Sequence, residues 1–139
     1  MSQKLIFKDE IPTVEKDDNE SKWDILIVDD EQDVIDALRR EIKKIDSNIE
    51  IKSTTDPIKA KSILQKEKFN YLMIDQKMKK MTGIEVLEEI KHLYPQMKRV
   101  LITGHGDTEI MREAINRGNI QYFINKPWKR DDIKKALGN

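Results

Sequence analysis

Four apolar runs in this chain each lead to a side chain capable of chemistry. Ile25-Leu26-Ile27-Val28 runs into Asp29-Asp30, Tyr71-Leu72-Met73-Ile74 into Asp75, Val100-Leu101-Ile102 into Thr103, and Tyr122-Phe123-Ile124 toward Lys126. If one crevice gathers them, the carboxylates of Asp29, Asp30 and Asp75 repel one another, and raised pKa values or a bound cation are the remedies. An oxygen-only donor set suits a hard divalent ion such as Mg²⁺, which commonly works with a substrate phosphate. A carboxylate beside such an ion can attack phosphorus and form an aspartyl phosphate, with the ion and a lysine neutralising charge on the phosphoryl oxygens. Asp75 is the candidate nucleophile, Lys126 the point charge and Thr103 a hydroxyl donor.

Each residue also has a plainer reading. Asp29-Asp30 could simply complement the dipole of a following helix, Thr103 could be an ordinary strand end, and Lys126-Pro127 a surface turn. Asp75 has no such duty, because the next helical pattern starts several residues later. The order and spacing of all four groups favour a shared site.

The elements that must position them are short apolar runs alternating with amphipathic stretches, the pattern of repeated βα units and a parallel sheet. In an open sheet of this kind the carboxyl ends of the strands lie along one edge, where scattered groups converge. The first unit pairs Ile25 to Val28 with a helix after Glu31, whose Val34, Ile35, Leu38, Ile42 and Ile45 share a face. The second pairs a strand over Ile49 to Ile51 with a helix opened by Asp56-Pro57, an acidic cap and a first-turn proline, burying Ala60, Ile63 and Leu64. The third pairs Tyr71 to Asp75 with a helix from Gly83, with Ile84, Leu87, Ile90 and Leu93 inward until Pro95 stops it. The fourth runs from Val100 to Thr103 through Gly104-His105-Gly106 into a helix capped by Asp107, with Ile110, Ala114 and Ile115 inward and Gly118 as left-handed terminator. The fifth pairs Tyr122 to Ile124 with a short helix holding Ile133, Ala136 and Leu137.

At 139 residues the chain suits one domain with its own core. Its 26 basic and 26 acidic residues balance, which disfavours direct nucleic acid binding. The absence of cysteine removes disulfides, thiolate metal sites and thiol nucleophiles, and fits a reducing, cytoplasmic setting. No apolar stretch is long enough for a membrane span, and the N-terminus lacks a signal-peptide core. Residues 1–22 mix charges with little periodicity and are expected to form a disordered tail; residues 23–139 form the domain.

From Trp23 to about Leu137 the chain resembles the receiver domain of two-component response regulators. The resemblance rests on Val28-Asp29-Asp30-Glu31 after the first strand, Asp75 after the third with Gly83 eight residues on, Thr103-Gly104 after the fourth, and Lys126-Pro127 after the fifth. It implies a flavodoxin-like (βα)5 fold with strand order 2-1-3-4-5. It also implies that Asp75 accepts a phosphoryl group from a sensor histidine kinase, a phosphotransfer protein or a small donor. Asp30 would bind Mg²⁺ directly, Asp29 through water, and Lys77 through its backbone carbonyl.

By the same resemblance Thr103 and Phe123 act as a switch, and the Lys126-Pro127 bond is cis. The face of the fourth helix, fifth strand and fifth helix, including Arg112, Tyr122 and Lys134, would meet an output domain, a partner protein or a second copy. Lys77 and His105 occupy positions that set phosphate lifetime in similar proteins; a solvent-facing loop histidine is the plainer reading of His105. Slow loss of phosphate rather than enzymatic turnover would follow.

This chain departs from the common pattern at Lys79, where proline often stands, and at Thr82, where an acidic residue or Asn often precedes the glycine. Neither change removes a reactive group, although Lys77 and Lys80 add positive charge nearby. Two competing readings are a phosphatase of the haloacid dehalogenase type, whose second acidic residue is missing from Asp75-Gln76-Lys77, and a flavodoxin-like adaptor that works without phosphorylation. The ending Tyr122 to Trp128 resembles receivers joined to HD-type cyclic-dinucleotide phosphodiesterases.

Overall fold

A computed structural model of the protein describes residues 23–104 and 108–138. The expected tail, the expected cap Asp107 and His105, expected to tune phosphate lifetime, lie outside the described residues. The strands are β1 (Ile25–Val28), β2 (Ile51–Thr54), β3 (Tyr71–Asp75), β4 (Lys98–Thr103) and β5 (Tyr122–Asn125). The helices are α1 (Gln32–Ile45), α2 (Pro57–Lys66), α3 (Gly83–Glu89), α4 (Thr108–Glu113, continued as a π-helical turn over Ala114–Gly118) and α5 (Arg130–Ala136). All strand pairs are parallel, in the order β2-β1-β3-β4-β5. This is the expected doubly wound arrangement, with the chain reversing its direction of travel between β1 and β3.

Alternation along the strands divides the core. Leu26, Val28, Leu72, Ile74 and Leu101 point to one side and pack with Ala60, Leu64, Ile84, Leu87 and Ala114 from α2, α3 and α4. Ile25, Ile27, Met73, Val100 and Ile102 point to the other and pack with Ile35, Leu38, Ile42 and Ile133 from α1 and α5. Strands covered on both faces must be apolar throughout, which explains why β1 reads as a continuous aliphatic run. The paired edge also sets the site: Asp75 is in register with Ile102, and Thr103 with Asn125, so the catalytic candidates share one end of the sheet.

Some boundaries differ from the expected ones. β2 begins at Ile51 and continues through Lys52, Ser53 and Thr54, because β1 residues Ile25 to Val28 align with these four. As an edge strand it needs only one fully apolar position, so its polar half is hidden from a hydrophobic reading. Arg39 from α1 donates to Ile51 O (3.2 Å) and Ser53 Oγ (2.8 Å) beside it. The α2 start is as the sequence predicts, with Asp56 Oδ1 accepting the Ile58 N–H at 3.0 Å and Pro57 in the first turn.

α3 ends at Glu89 instead of continuing to Pro95, and the cause is Arg99 at the root of β4. This arginine is fully buried, and its guanidinium donates to the carbonyl oxygens of Ile90 (3.2 Å), Leu93 (2.7 Å) and Met97 (3.0 Å), with Lys91 and Tyr94 at 3.4 and 3.5 Å. Carbonyls that would otherwise extend the helix are drawn to one cation, and Tyr94 takes a left-handed φ of 45° in the turn. α4 also departs from expectation. Ala114 is buried, but Ile115 is 58% exposed rather than inward. Gly118 is not the left-handed residue; Asn119 is, at φ 55°. The π-helical turn widens the last stretch and shifts both the inward face and the terminator. Gly118 is small for another reason: a Cβ there would lie 3.2 Å from two Leu87 atoms of α3.

Candidate functional site

At the carboxyl edge of the sheet, oxygens of Asp29, Asp30 and Asp75 lie within 4.8 Å of one another. β1 delivers the first two and β3 the third. Asp29 and Asp75 are buried, at 1% and 3% exposure, while Asp30 is half-buried. Asp29 Oδ1 accepts the Glu31 N–H at 2.9 Å, and Asp30 Oδ2 accepts the Lys79 N–H at 3.0 Å, tying the β3–α3 loop to the cluster. Lys126 Nζ stands 2.7 Å from Asp75 Oδ1 and 3.5 Å from Asp29 Oδ2.

Electrostatics follow from this burial. Burial, only partly offset by the Glu31 N–H, pushes the Asp29 carboxyl from 3.8 to about 6, and Asp75 adds to the rise. Asp75 is likewise raised by burial, which its bond to Lys126 does not cancel. Burial works against the Lys126 ammonium, but Asp75 outweighs it and holds the lysine above its usual value. Asp29 Oδ2 is buried without any hydrogen bond among the described residues. An orphaned carboxylate oxygen facing two further carboxylates and one lysine marks a place short of positive charge, and the all-oxygen donor set suits Mg²⁺. The residues therefore fit a hard cation held by Asp29, Asp30 and Asp75.

Thr103 is 6% exposed at the end of β4, and its carbonyl accepts the Lys126 N–H at 2.9 Å, so β4 and the residue after β5 are fastened together beside Asp75. The Lys126–Pro127 peptide is cis. Trp128 packs on the α1/α5 side of the core. Phe123, in register with Leu101, is half-buried against the α2/α3/α4 side. Lys77 is exposed on the loop after Asp75, and Arg112, Tyr122 and Lys134 are all exposed.

One participant, Gln76, was not expected from sequence, and Gly83, read there only as a motif position and helix start, has a packing role at the site. Gly83 lies so close to Asp75 that a Cβ would come within 2.6 Å of the Asp75 carbonyl oxygen and 2.8 Å of Leu101 Cδ1, so α3 starts directly against the backbone of the central aspartate. Gln76, 8% exposed, donates its N–H to Ile102 O (2.9 Å), accepts the Gly83 N–H at its own carbonyl (3.0 Å) and accepts the Ile84 N–H at Oε1 (3.0 Å). The signal for it was an amide directly after a buried strand and eight positions before a helical residue, but nothing in that spacing singles out an amide from a surface polar residue.

The chain matches the family model of the response regulator receiver domain over residues 25–138. It is 31% identical over 109 residues to the hydrogenase transcriptional regulatory protein HoxA of Cupriavidus necator, covering 78% of this chain and 22% of that protein. It is 27% identical over 113 residues to the response regulator protein TodT of Pseudomonas putida, covering 81% and 48%. Among solved structures, the signal receiver domain of an HD domain-containing protein from Pseudomonas fluorescens Pf-5 superposes with a TM-score of 0.75 at 25% identity, over 83% of this chain and 90% of that one. A CheY-like response regulator receiver domain protein from Methanospirillum hungatei JF-1 gives 0.74 at 27%, over 83% and 90%. The chain thus spans under half the length of these curated relatives. A sheet ordered 2-1-3-4-5, an acidic cluster at its carboxyl edge and these matches together establish that the chain belongs to the response regulator receiver domain family, the signalling domains of two-component systems.

Proposed function

We propose that Asp75 is the phosphoacceptor of this receiver domain and that its phosphorylation carries a signal from a histidine kinase or phosphotransfer protein to an output. The observation that carries this reading is Asp75 itself: a buried carboxylate at a strand tip, 2.7 Å from Lys126 and within 4.8 Å of the other two acids. An Asp75 oxygen attacks the phosphorus of the donor; the donor's bond to phosphorus breaks, and its electron pair leaves with the departing group. Lys126 shifts from pairing Asp75 to pairing the phosphoryl oxygens, and the Thr103 hydroxyl donates to another of them. Mg²⁺ held by Asp29, Asp30, Asp75 and the Lys77 carbonyl would supply charge neutralisation at those same oxygens.

The phosphoryl group carries roughly −1.5 to −2 charge in place of the single carboxylate charge of Asp75 and favours one of two arrangements of the domain. Thr103 and Phe123 would transmit the change to the face of α4, β5 and α5, where exposed Arg112, Tyr122 and Lys134 meet an output domain, a partner or a second copy. Lys77 and His105 would tune how long the phosphate lasts. The reading sets the domain at residues 23–139, acting in the cytoplasm beside its kinase. Among the described residues no helix is long and apolar enough to cross a membrane. The output is open to two classes: HoxA is a transcriptional regulatory protein, and the Pseudomonas fluorescens relative carries an HD domain.

Intact mass after incubation with Mg²⁺ and acetyl phosphate tests the reading. The expected result is a metal-dependent gain of one phosphoryl group in the wild type and none in Asp75→Ala. No gain in either protein would overturn it and leave an adaptor that works unphosphorylated.

A further inference from the structure

We propose that Gln76 is a positioning residue for this site: its side chain ties the peptide leaving Asp75 to the start of α3 and so sets the path of loop 77–82 past the acidic cluster. The inference rests on the reading of that cluster as a Mg²⁺ and phosphoacceptor site. Gln76 uses its N–H on β4, its carbonyl on Gly83 and its Oε1 on Ile84. The first of these continues the sheet and the second closes the loop through backbone alone, so only the third depends on residue type. An apolar side chain of the same length would leave the Ile84 N–H without its acceptor in a buried place.

What makes this more than a helix cap is its position. The residue bonded to α3 is the one that follows Asp75, and at Gly83, the first residue of α3, the two backbones run so close that a Cβ would come within 2.6 Å of the Asp75 carbonyl oxygen. Movement at the start of α3 therefore reaches Asp75 without an intermediary. Farther along, the same loop is attached to the cluster by the Lys79 N–H on Asp30 Oδ2 at 3.0 Å. Met78 is buried in the core and Lys80 Nζ lies 3.4 Å from Asp56 Oδ2, so the loop has other supports, but Lys77, whose carbonyl is the fourth candidate ligand, lies between the Gln76 root and the Lys79 attachment to the cluster. Loss of the Gln76 bond leaves every ligand atom in place chemically while freeing their spacing, as happens when the partners that orient metal ligands are removed.

The test follows amide resonances of ¹⁵N-labelled protein during titration with MgCl₂, for wild type, Gln76→Met and Thr82→Ala, with urea unfolding of each alongside. Thr82→Ala removes the other cap of α3, in which Thr82 Oγ1 accepts the Glu85 N–H at 3.1 Å, and so is the comparison for a purely structural loss. The expected result is a Mg²⁺ dissociation constant raised roughly 10-fold in Gln76→Met and close to wild type in Thr82→Ala, although both unfold more readily. Should Gln76→Met not fold, Gln76→Asn, which keeps the amide and shortens its reach, carries the same expectation. Affinity in the Gln76 variant within about twofold of wild type, against the 10-fold or more expected of an orienting partner, overturns the positioning role and leaves the metal site standing. Equal weakening by Thr82→Ala overturns it as well, since any cap would then do. A wild type with no response to Mg²⁺ removes the metal site, and the role of Gln76 with it.

Discussion

Replacing Asp29 by Asn should make the metal-free protein more stable at neutral pH. A carboxyl moved by burial from 3.8 to about 6 is held against its preference when ionised, and at about 1.4 kcal/mol per pH unit the native state bears about 3 kcal/mol for it. Its folded pKa lies above its unfolded one, so its favourable contribution is complete below about pH 4 and is lost as pH rises through about 6. Asn keeps the acceptor for the Glu31 N–H at 2.9 Å and removes the charge, though its amide must still be desolvated and faces Lys126 at 3.5 Å. A gain of about 1–3 kcal/mol at pH 7.5 is therefore expected. Urea unfolding followed by circular dichroism, in chelator, from pH 5 to pH 8, gives the measurement. The two proteins should differ most at the alkaline end, with the gap narrowed to about half at pH 5, and added Mg²⁺ should stabilise the wild type more than the variant. Equal stability at pH 7.5 with parallel pH dependence would contradict this picture of Asp29, for it would mean that Lys126 already compensates the orphaned oxygen in full.

Three further outcomes follow from packing. Arg99→Met should cost about 3–5 kcal/mol in urea unfolding, because several buried carbonyls lose their shared donor at once; Arg99→Lys should recover only part, having fewer donors and no planar fork. Gly83→Ala should lower stability by about 1–3 kcal/mol, since the new Cβ would meet the Asp75 carbonyl oxygen at 2.6 Å, and backbone there has little room to yield. Ile115→Ser should change stability by less than about 0.5 kcal/mol, because that side chain is 58% exposed despite its place in an apolar pattern.

The sheet was legible because its strands are buried on both faces, so β1, β3 and β4 stand out as aliphatic runs whose ends can be read directly. The acidic cluster was legible for the same reason: an ionisable residue closing such a run is costly to bury and serves no packing purpose there. Legibility failed wherever a backbone group was satisfied from a distance. Helical spacing carries Ile90 and Leu93 on toward Pro95, and it cannot show the arginine, buried at the start of the next strand, that takes up their carbonyls where α3 stops short. Ile115 fits a 3.6-residue period that the π-helical turn does not keep. β2 was displaced because Lys52, Ser53 and Thr54 lie on an edge, where the demand for apolar side chains is weak.

The bonds of Arg99 also say something about how the domain comes apart. One side chain from β4 holds main-chain oxygens from the end of α3, the following turn and the approach to the strand, over residues 90–97. These segments cannot open singly without uncovering a cation in a dry interior, so they form one cooperative unit in the sense of native-state hydrogen exchange. Amide protons at the end of α3, among the first to fray in most short helices, should exchange on the timescale of the central strand.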